Sequence, residues 1–276
     1  MLKKIKVNLF DKQVIEAFVK DISFISLIIS FILIFVEIPK DLKIIFGIVF
    51  VIFLLCIYIS TWIYANIKCK AILNINNSIL EIGIADIFEE EDLKVIAFNE
   101  YFDTQVDNKV ISETSLNGMF IKRYIDNVDD LDENIKTDAC MNSKKIGMNE
   151  SRLLGKKEKY KLGSVFEYNG YLLTAFSKFD NDNKAYLSMR DYIDFLLSFW
   201  DEIDRIYSGR TIAIPLLGSG ITRFREYHLS EQELLELLIW SFKISRVKFT
   251  YPSKVKIIIY EGKKDKVNFY KLKGCQ

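Results

Sequence analysis

No two of the chain's cysteines form a Cys-x-x-Cys pair. Cys56, Cys69, Cys140 and Cys275 stand apart, and the one histidine, His228, has no cysteine near it. That pattern argues against a zinc site or a disulfide framework and fits free thiols in a reducing compartment. A catalytic Cys–His couple would have to use His228, which no local signature surrounds. No metal ligand set is expected. Charge of one sign is also lacking: 38 Lys and Arg stand against 37 Asp and Glu, a net +1. A dedicated nucleic-acid binder is usually basic overall or carries a basic stripe, so no nucleic-acid partner is expected. There is no Walker sequence, and no Rossmann glycine pattern after a first strand. No small-residue cleavage site comes after a short apolar core, so the N-terminus does not read as a signal peptide.

The abundant component is apolar side chain, 50% of the sequence, and much of it sits in the first quarter. Ile22 to Ile38 carries no charge except Glu37, and Ile44 to Ala65 carries none. Each run is near the ~20 residues that cross ~30 Å of hydrocarbon, where a helix satisfies its backbone internally. Pro39-Lys40-Asp41-Leu42-Lys43 reads as a tight turn between them. Lys3, Lys4, Lys6, Lys12, Lys20, Lys68 and Lys70 flank the outer ends, against Lys40 and Lys43 in the turn. Residues 1–70 are therefore expected to form an N-terminal segment and a transmembrane helical hairpin. Its spans are about 22–38 and 44–65, with both termini cytoplasmic. Trp62 and Tyr64 sit where an interfacial aromatic belt forms.

Residues 71–276 read as a soluble α/β domain. Ala71–Ile75 and Ile79–Ile84 alternate around Asn76-Asn77, as a hairpin does. Leu93–Phe98 is a buried strand, and Ser112–Tyr124 is spaced as a helix. Asp126–Tyr160 is charged and aperiodic, and reads as a surface excursion. Asn169-Gly170 marks a second hairpin between Ser164–Tyr168 and Tyr171–Phe176. Ser188 with Asp191 opens a helix to about Tyr207, whose apolar face is Tyr192, Phe195, Leu196, Phe199 and Ile203. Ser230 with Glu233 forms a capping box for a helix to about Arg246. Val255–Tyr260 is a last buried strand, and Val267–Leu272 a short terminal element. Strands alternating with helices predict a mixed, partly parallel sheet with helices on its faces.

In such sheets ligands sit beyond the carboxyl ends of the strands. Three of those ends are polar: Asp86, Asn99-Glu100, and the loop Leu217-Gly218-Ser219-Gly220-Ile221-Thr222 after the apolar run Thr211–Leu216. Glycines let that loop present bare N–H groups to an anion. An acid, an amide and an anion cradle are the groups a nucleotide diphosphate needs.

Ala85-Asp86-Ile87, then Ala97-Phe98-Asn99-Glu100, then Gly218-Ser219-Gly220-Ile221 come in an order that resembles the macro domain, an ADP-ribose-binding family. The resemblance implies an α/β fold, a macro-domain-like three-layer α/β/α with a mixed sheet, here preceded by the two-helix hairpin. It implies that Asp86 accepts from the adenine amino group, that Gly218 to Thr222 wrap the diphosphate, and that Asn99 lies near the distal ribose. Ile87, Thr104, Leu217 and Arg223 join the expected binding set. Glu100, Asp103 and Asp107 are expected to meet a cationic or amine-bearing group there. The chain departs from the family in two places. Ala85 replaces a usual glycine. Tyr101 to Asp107 replaces the glycine-rich run by which hydrolytic members approach the distal ribose and a water. No catalytic residue and no cofactor are therefore expected. A tethered ADP-ribosyl or nucleotide hydrolase, with Asp103 or Glu100 as base, is the alternative, and a scaffold with a degenerate pocket a third.

The hairpin, Asn99-Glu100-Tyr101-Phe102-Asp103-Thr104, Ser115-Leu116-Asn117-Gly118 and Ile214-Pro215-Leu216-Leu217-Gly218-Ser219-Gly220 together are similar to the membrane-anchored macro-domain effectors of type II Thoeris anti-phage systems. That resemblance implies a partner TIR-domain enzyme that makes a histidine–ADP-ribose signal from NAD. It also implies a homo-oligomer and damage to the bilayer of the bacterial inner membrane.

Overall fold

Lys12–Leu33 (α1) begins on Asp11, whose carboxylate accepts the Gln13 N–H at 2.9 Å, and Lys43–Ile67 (α2) comes after a single 3-10 turn. They belong to a computed structural model that describes residues 5–226 and 228–275. Lys3 and Lys4 of the expected lysine flank lie outside the described residues, as does the side chain of Cys275. Cys56, Cys69 and Cys140 are free thiols.

The first expected span does not form as read. Helix α1 stops at Leu33, short of Ile38, and its opening turns carry Lys12, Glu16, Lys20 and Asp21. Its uncharged part, Ile22–Leu33, is about 18 Å long at 1.5 Å per residue, against ~30 Å of hydrocarbon. Among the described residues only Lys40–Ile67 is long and apolar enough to cross a membrane. Its outward side chains, Ile48, Val51, Ile52 and Leu55 among them, are exposed. Trp62 is more than a belt residue: its indole N–H donates to the Val7 carbonyl at 2.9 Å. Asn66 accepts the Lys6 and Val7 N–H groups. Val267–Gly274, expected as the tail of the α/β domain, groups with these two helices, and the Tyr270 hydroxyl donates to the Gln13 carbonyl.

The second compact unit, Lys70–Lys266, is the α/β part. Lys70–Ile75 (β1) and Ser78–Ile84 (β2) pair antiparallel through Asn76 and Asn77, both at positive φ. Leu93–Asn99 (β3) comes next, then Leu116–Tyr124 (α3). The cap of α3 is Ser115, not Ser112. Gly118 lies so close to the preceding turn that a Cβ there would collide with the Ser112 carbonyl.

The excursion at 126–160 is structured. It holds Val128–Thr137 (α4), Ala139–Ser143 (α5) and a ribbon of Lys145–Met148 (β4) with Glu158–Tyr160 (β5). Its helices bury only Leu131, Ile135 and Met141. Three apolar anchors in a charged stretch leave no visible period.

Val165–Tyr168 (β6) and Tyr171–Phe179 (β7) pair across Asn169-Gly170, and Ala185–Leu187 (β8) turns back on β7. Met189–Ile206 (α6) and, later, Glu231–Ser245 (α7) both start on the expected capping boxes. Between them lie Ile212–Pro215 (β9) and Arg223–Phe224 (β10); Val255–Ile259 (β11) closes the set. The sheet runs β1-β2-β11-β9-β3-β7-β8-β10. Strands β2, β11, β9, β3 and β7 are mutually parallel, flanked by antiparallel β1, β6 and β8. One face packs Ile96, Phe98, Leu173 and Ala175 against α3 to α5. On the other, Phe176 meets Phe195 of α6, and Trp200 of α6 donates to Ser241 of α7 at 2.9 Å. This is the expected α/β fold with a mixed sheet, and it brings five parallel carboxyl ends to one edge.

Candidate ligand-binding cleft

Beyond that edge lies a cleft of about 840 Å³. The order of strands orders its contents. Asp86 sits past β2, Tyr260 past β11, the 216–222 loop past β9, Asn99 at the end of β3, and Ser177 to Lys184 at and past the end of β7. Four strand spacings separate β2 from β7, about 19 Å at ~4.8 Å each.

Asp86 caps the short 3-10 helix Ile87–Glu89, accepting the Phe88 N–H at 3.0 Å with Oδ1. Its Oδ2 has no donor among the described residues. Ile87 is buried against Ala213 and Ile258 as part of the floor.

The loop does not run into a helix; it returns as β10. Gly218 has φ +89°, and a Cβ on it would stand 3.1 Å from Leu234 and 3.2 Å from Phe224. The fold therefore requires that glycine. Gly220 differs: its φ is ordinary and nothing lies within 4 Å of where a Cβ would be. The Ser219 hydroxyl turns back on the Leu216 carbonyl at 2.7 Å. The Leu217 carbonyl accepts the Tyr192 hydroxyl at 3.2 Å, and burial pushes that phenol up, so it stays a donor. Among the described residues the N–H groups of Gly218, Gly220 and Ile221 have no acceptor. Thr222 and Arg223 complete this wall, whereas Arg225 stacks on the Tyr186 ring at 3.6 Å. The lining carries Lys109, Arg123, Lys184, Arg223 and Lys263 against Asp86 and Asp182, a balance that favours an anion.

The acids expected to face the ligand are engaged elsewhere. Glu100, Asp103 and Thr104 are buried and do not line the cleft. Glu100 pairs with Lys159 at 3.2 Å, and Asp103 with Arg152. The Thr104 hydroxyl donates to Asp132 at 2.9 Å. Asp107 shapes its own loop. Hydrogen bonds from the Val110 and Lys109 N–H groups and from Gln105 hold its carboxyl below the usual range. Asn99 does line the cleft, with its amide already donating to Asp103 at 2.9 Å.

Other lining residues are not singled out by the sequence. Phe88, stacked on Tyr124, is one. Tyr260 and Lys263 are others. Tyr260 stands directly after the last parallel strand, and that position is the signal that could have found it. Ser115 and Asn117 belong to a motif to which the sequence alone assigns no role.

A family model described as Thoeris protein ThsA, Macro domain, matches residues 80–260. Thoeris protein ThsA from Bacillus amyloliquefaciens is 46% identical over 205 residues, covering 73% of this chain and 69% of that one. Among solved structures, a mutant of the Oceanobacillus iheyensis macrodomain gives a TM-score of 0.48 at 14% identity, covering 75% of this chain and 97% of its own. The same macrodomain with ADP gives 0.45 at 15% identity, covering 74% and 95%.

Proposed function

Because the chain belongs to the Thoeris protein ThsA macro-domain family, we propose that its cleft binds an ADP-ribose-derived signal and that binding switches on a membrane effector of anti-phage defence. The observation that carries the binding step is the run of unclaimed N–H groups at Gly218, Gly220 and Ile221 beside Arg223. Peptide N–H groups left without an acceptor inside the chain are the donors that such a loop offers to a diphosphate. Oδ2 of Asp86 then accepts from the adenine amino group, Ile87 and Leu217 floor the site, and Asn99 borders the distal ribose.

The signal is of the histidine–ADP-ribose class, made from NAD by a partner TIR enzyme. Apolar α2 holds the chain in the inner membrane, and ligand-bound copies associate there and disrupt the bilayer. Association responds to ligand only through a difference in affinity between the two states. The role is binding, not turnover. Glu100 and Asp103, either of which a hydrolase here would use as its base, are both buried and paired with cations.

The test has two parts. Full-length chain in detergent, titrated calorimetrically with ADP-ribose and with its histidine conjugate, is expected to bind both, the conjugate more tightly. A folded protein giving no heat with either ends the proposal. Cells carrying the chain with the TIR enzyme are expected to leak a membrane-impermeant dye, and cells without the enzyme to stay sealed. Sealed membranes in both cases end the effector role.

A further inference from the structure

Asp103 lies 49 residues before Arg152 and Asn183 lies 31 after it, yet one guanidinium joins them. Nη2 donates to Asp103 Oδ2 at 2.5 Å and to Asn183 Oδ1 at 2.7 Å. Nη1 donates to Asp103 Oδ1 at 3.1 Å and to the Lys156 carbonyl at 2.6 Å. Nε reaches Asn183 Oδ1 at 3.2 Å. All five guanidinium donors are thereby used, and the guanidinium carbon lies 3.9 Å from the Tyr101 ring centre. Asp103 passes the constraint on: its Oδ2 accepts the Asn99 amide at 2.9 Å, while Asn99 Oδ1 accepts the Tyr101 N–H at 2.9 Å. Gly155, at φ +84°, makes room; a Cβ there would stand 2.7 Å from Asp103 and 2.8 Å from Arg152.

The two ends of this chain of bonds, Asn99 and Asn183, both line the cleft. One stands at the end of β3 and the other in the turn after β7. We propose that Arg152 is a positioning residue that sets the distance between these two side chains, and so the fit of whatever extends past the diphosphate. The buried Asp103–Arg152 pair is the fixed base, and Asn183 is the arm held out from it. A lysine at 152 has no planar fork and cannot hold both partners. This inference rests on the cleft being the ADP-ribose site. It adds that the far end is set by a residue that itself touches no ligand.

The discriminating ligands are ADP, which ends at the diphosphate, and ADP-ribose, which continues past it. Full-length wild type, Arg152→Lys and Asn183→Gly would be titrated with each in detergent, with melting temperatures recorded alongside. Asn183→Gly keeps the buried ion pair and suits the positive φ of that position, so it reports even if Arg152→Lys folds poorly. Both variants are expected to lose roughly tenfold or more in affinity for ADP-ribose, with ADP affinity unchanged. Equal losses for the two ligands mean a merely structural role, and no loss means no role; either overturns the inference alone. A wild type that binds neither ligand overturns the cleft assignment and this inference with it.

Discussion

The two ends of the cleft are built on opposite plans. At the Asp86 end and along 217–222, the Asp86 and Ser219 bonds stay within three positions, the Tyr192 bond to the Leu217 carbonyl being a long-range exception, and several donors and acceptors are unclaimed. At the Asn99 end the bonds that tie the site together join residues 31 to 79 positions apart, alongside short-range ones such as Asn99 to Asp103, and nearly every polar atom is satisfied within the chain. Buried polar groups must be paired, so the saturated end is where the chain could bury charge. The unsaturated end keeps its hydrogen-bonding capacity for a ligand. On the proposed function, one end supplies affinity and the other supplies shape.

Exchanging the roles of two aspartates breaks this contrast most sharply. Asp103→Asn leaves Arg152, almost wholly buried, without its counter-charge. The expected loss is about 3–5 kcal/mol of folding stability, read by urea unfolding of the full chain in detergent. Asp86→Ala removes an exposed carboxylate and is expected to cost folding no more than the lost cap on Phe88, about 0.5–2 kcal/mol, while weakening ADP-ribose binding by about 1–3 kcal/mol. Equal unfolding curves for Asp103→Asn and wild type would mean that the far end is not held by charge.

Next in size is a pair of glycines two residues apart. Valine at 218 meets Leu234 and Phe224 on a backbone that disfavours any side chain, so Gly218→Val is expected to lower the melting temperature. Valine at 220 points into open space. Gly220→Val is expected to fold like wild type and lose about 3 kcal/mol or more of ligand affinity, because the added methyls occupy the anion's place. Tight binding by Gly220→Val would remove the diphosphate from this loop.

The same contrast explains how much the sequence could tell. Signals spanning two or three residues are readable: Asn76-Asn77 and Asn169-Gly170 as hairpins, Ser188 with Asp191 and Ser230 with Glu233 as helix starts. So are the strand ends that carry Asp86 and Gly218, because polarity after an apolar run is itself local. Asp103 and Arg152 are not readable as partners. Nothing within ten residues of either announces the other, and Arg152 lies in a stretch whose helices show three buried apolar residues. Asp103 and Glu100 look like loop acids because their cations are distant in sequence. The first apolar run misleads for a related reason: it counts residues up to Ile38, while the helix that holds its first part starts at Lys12 and ends at Leu33.

The smallest expected effect concerns Lys263, a cleft-lining cation at the unsaturated end that is nonetheless claimed. It donates to Glu231 at 2.9 Å, as Lys266 does at 3.0 Å. Burial works to raise the Glu231 carboxyl, and these two ammonium groups override it, bringing it to about 2 from an ordinary 4.5. A carboxyl lowered in the folded state contributes stability that is complete above pH 4.5 and fades as pH falls toward 2. Solvent screens the lysines, so the contribution is expected to stay under about 1 kcal/mol. Melting temperatures of wild type and Glu231→Gln between about pH 6 and pH 2 should show it: the curves lie apart at the upper end and converge near pH 2. Curves that stay parallel would mean that Glu231 does not hold Lys263. That cation would then join Arg223 as a free partner for the diphosphate.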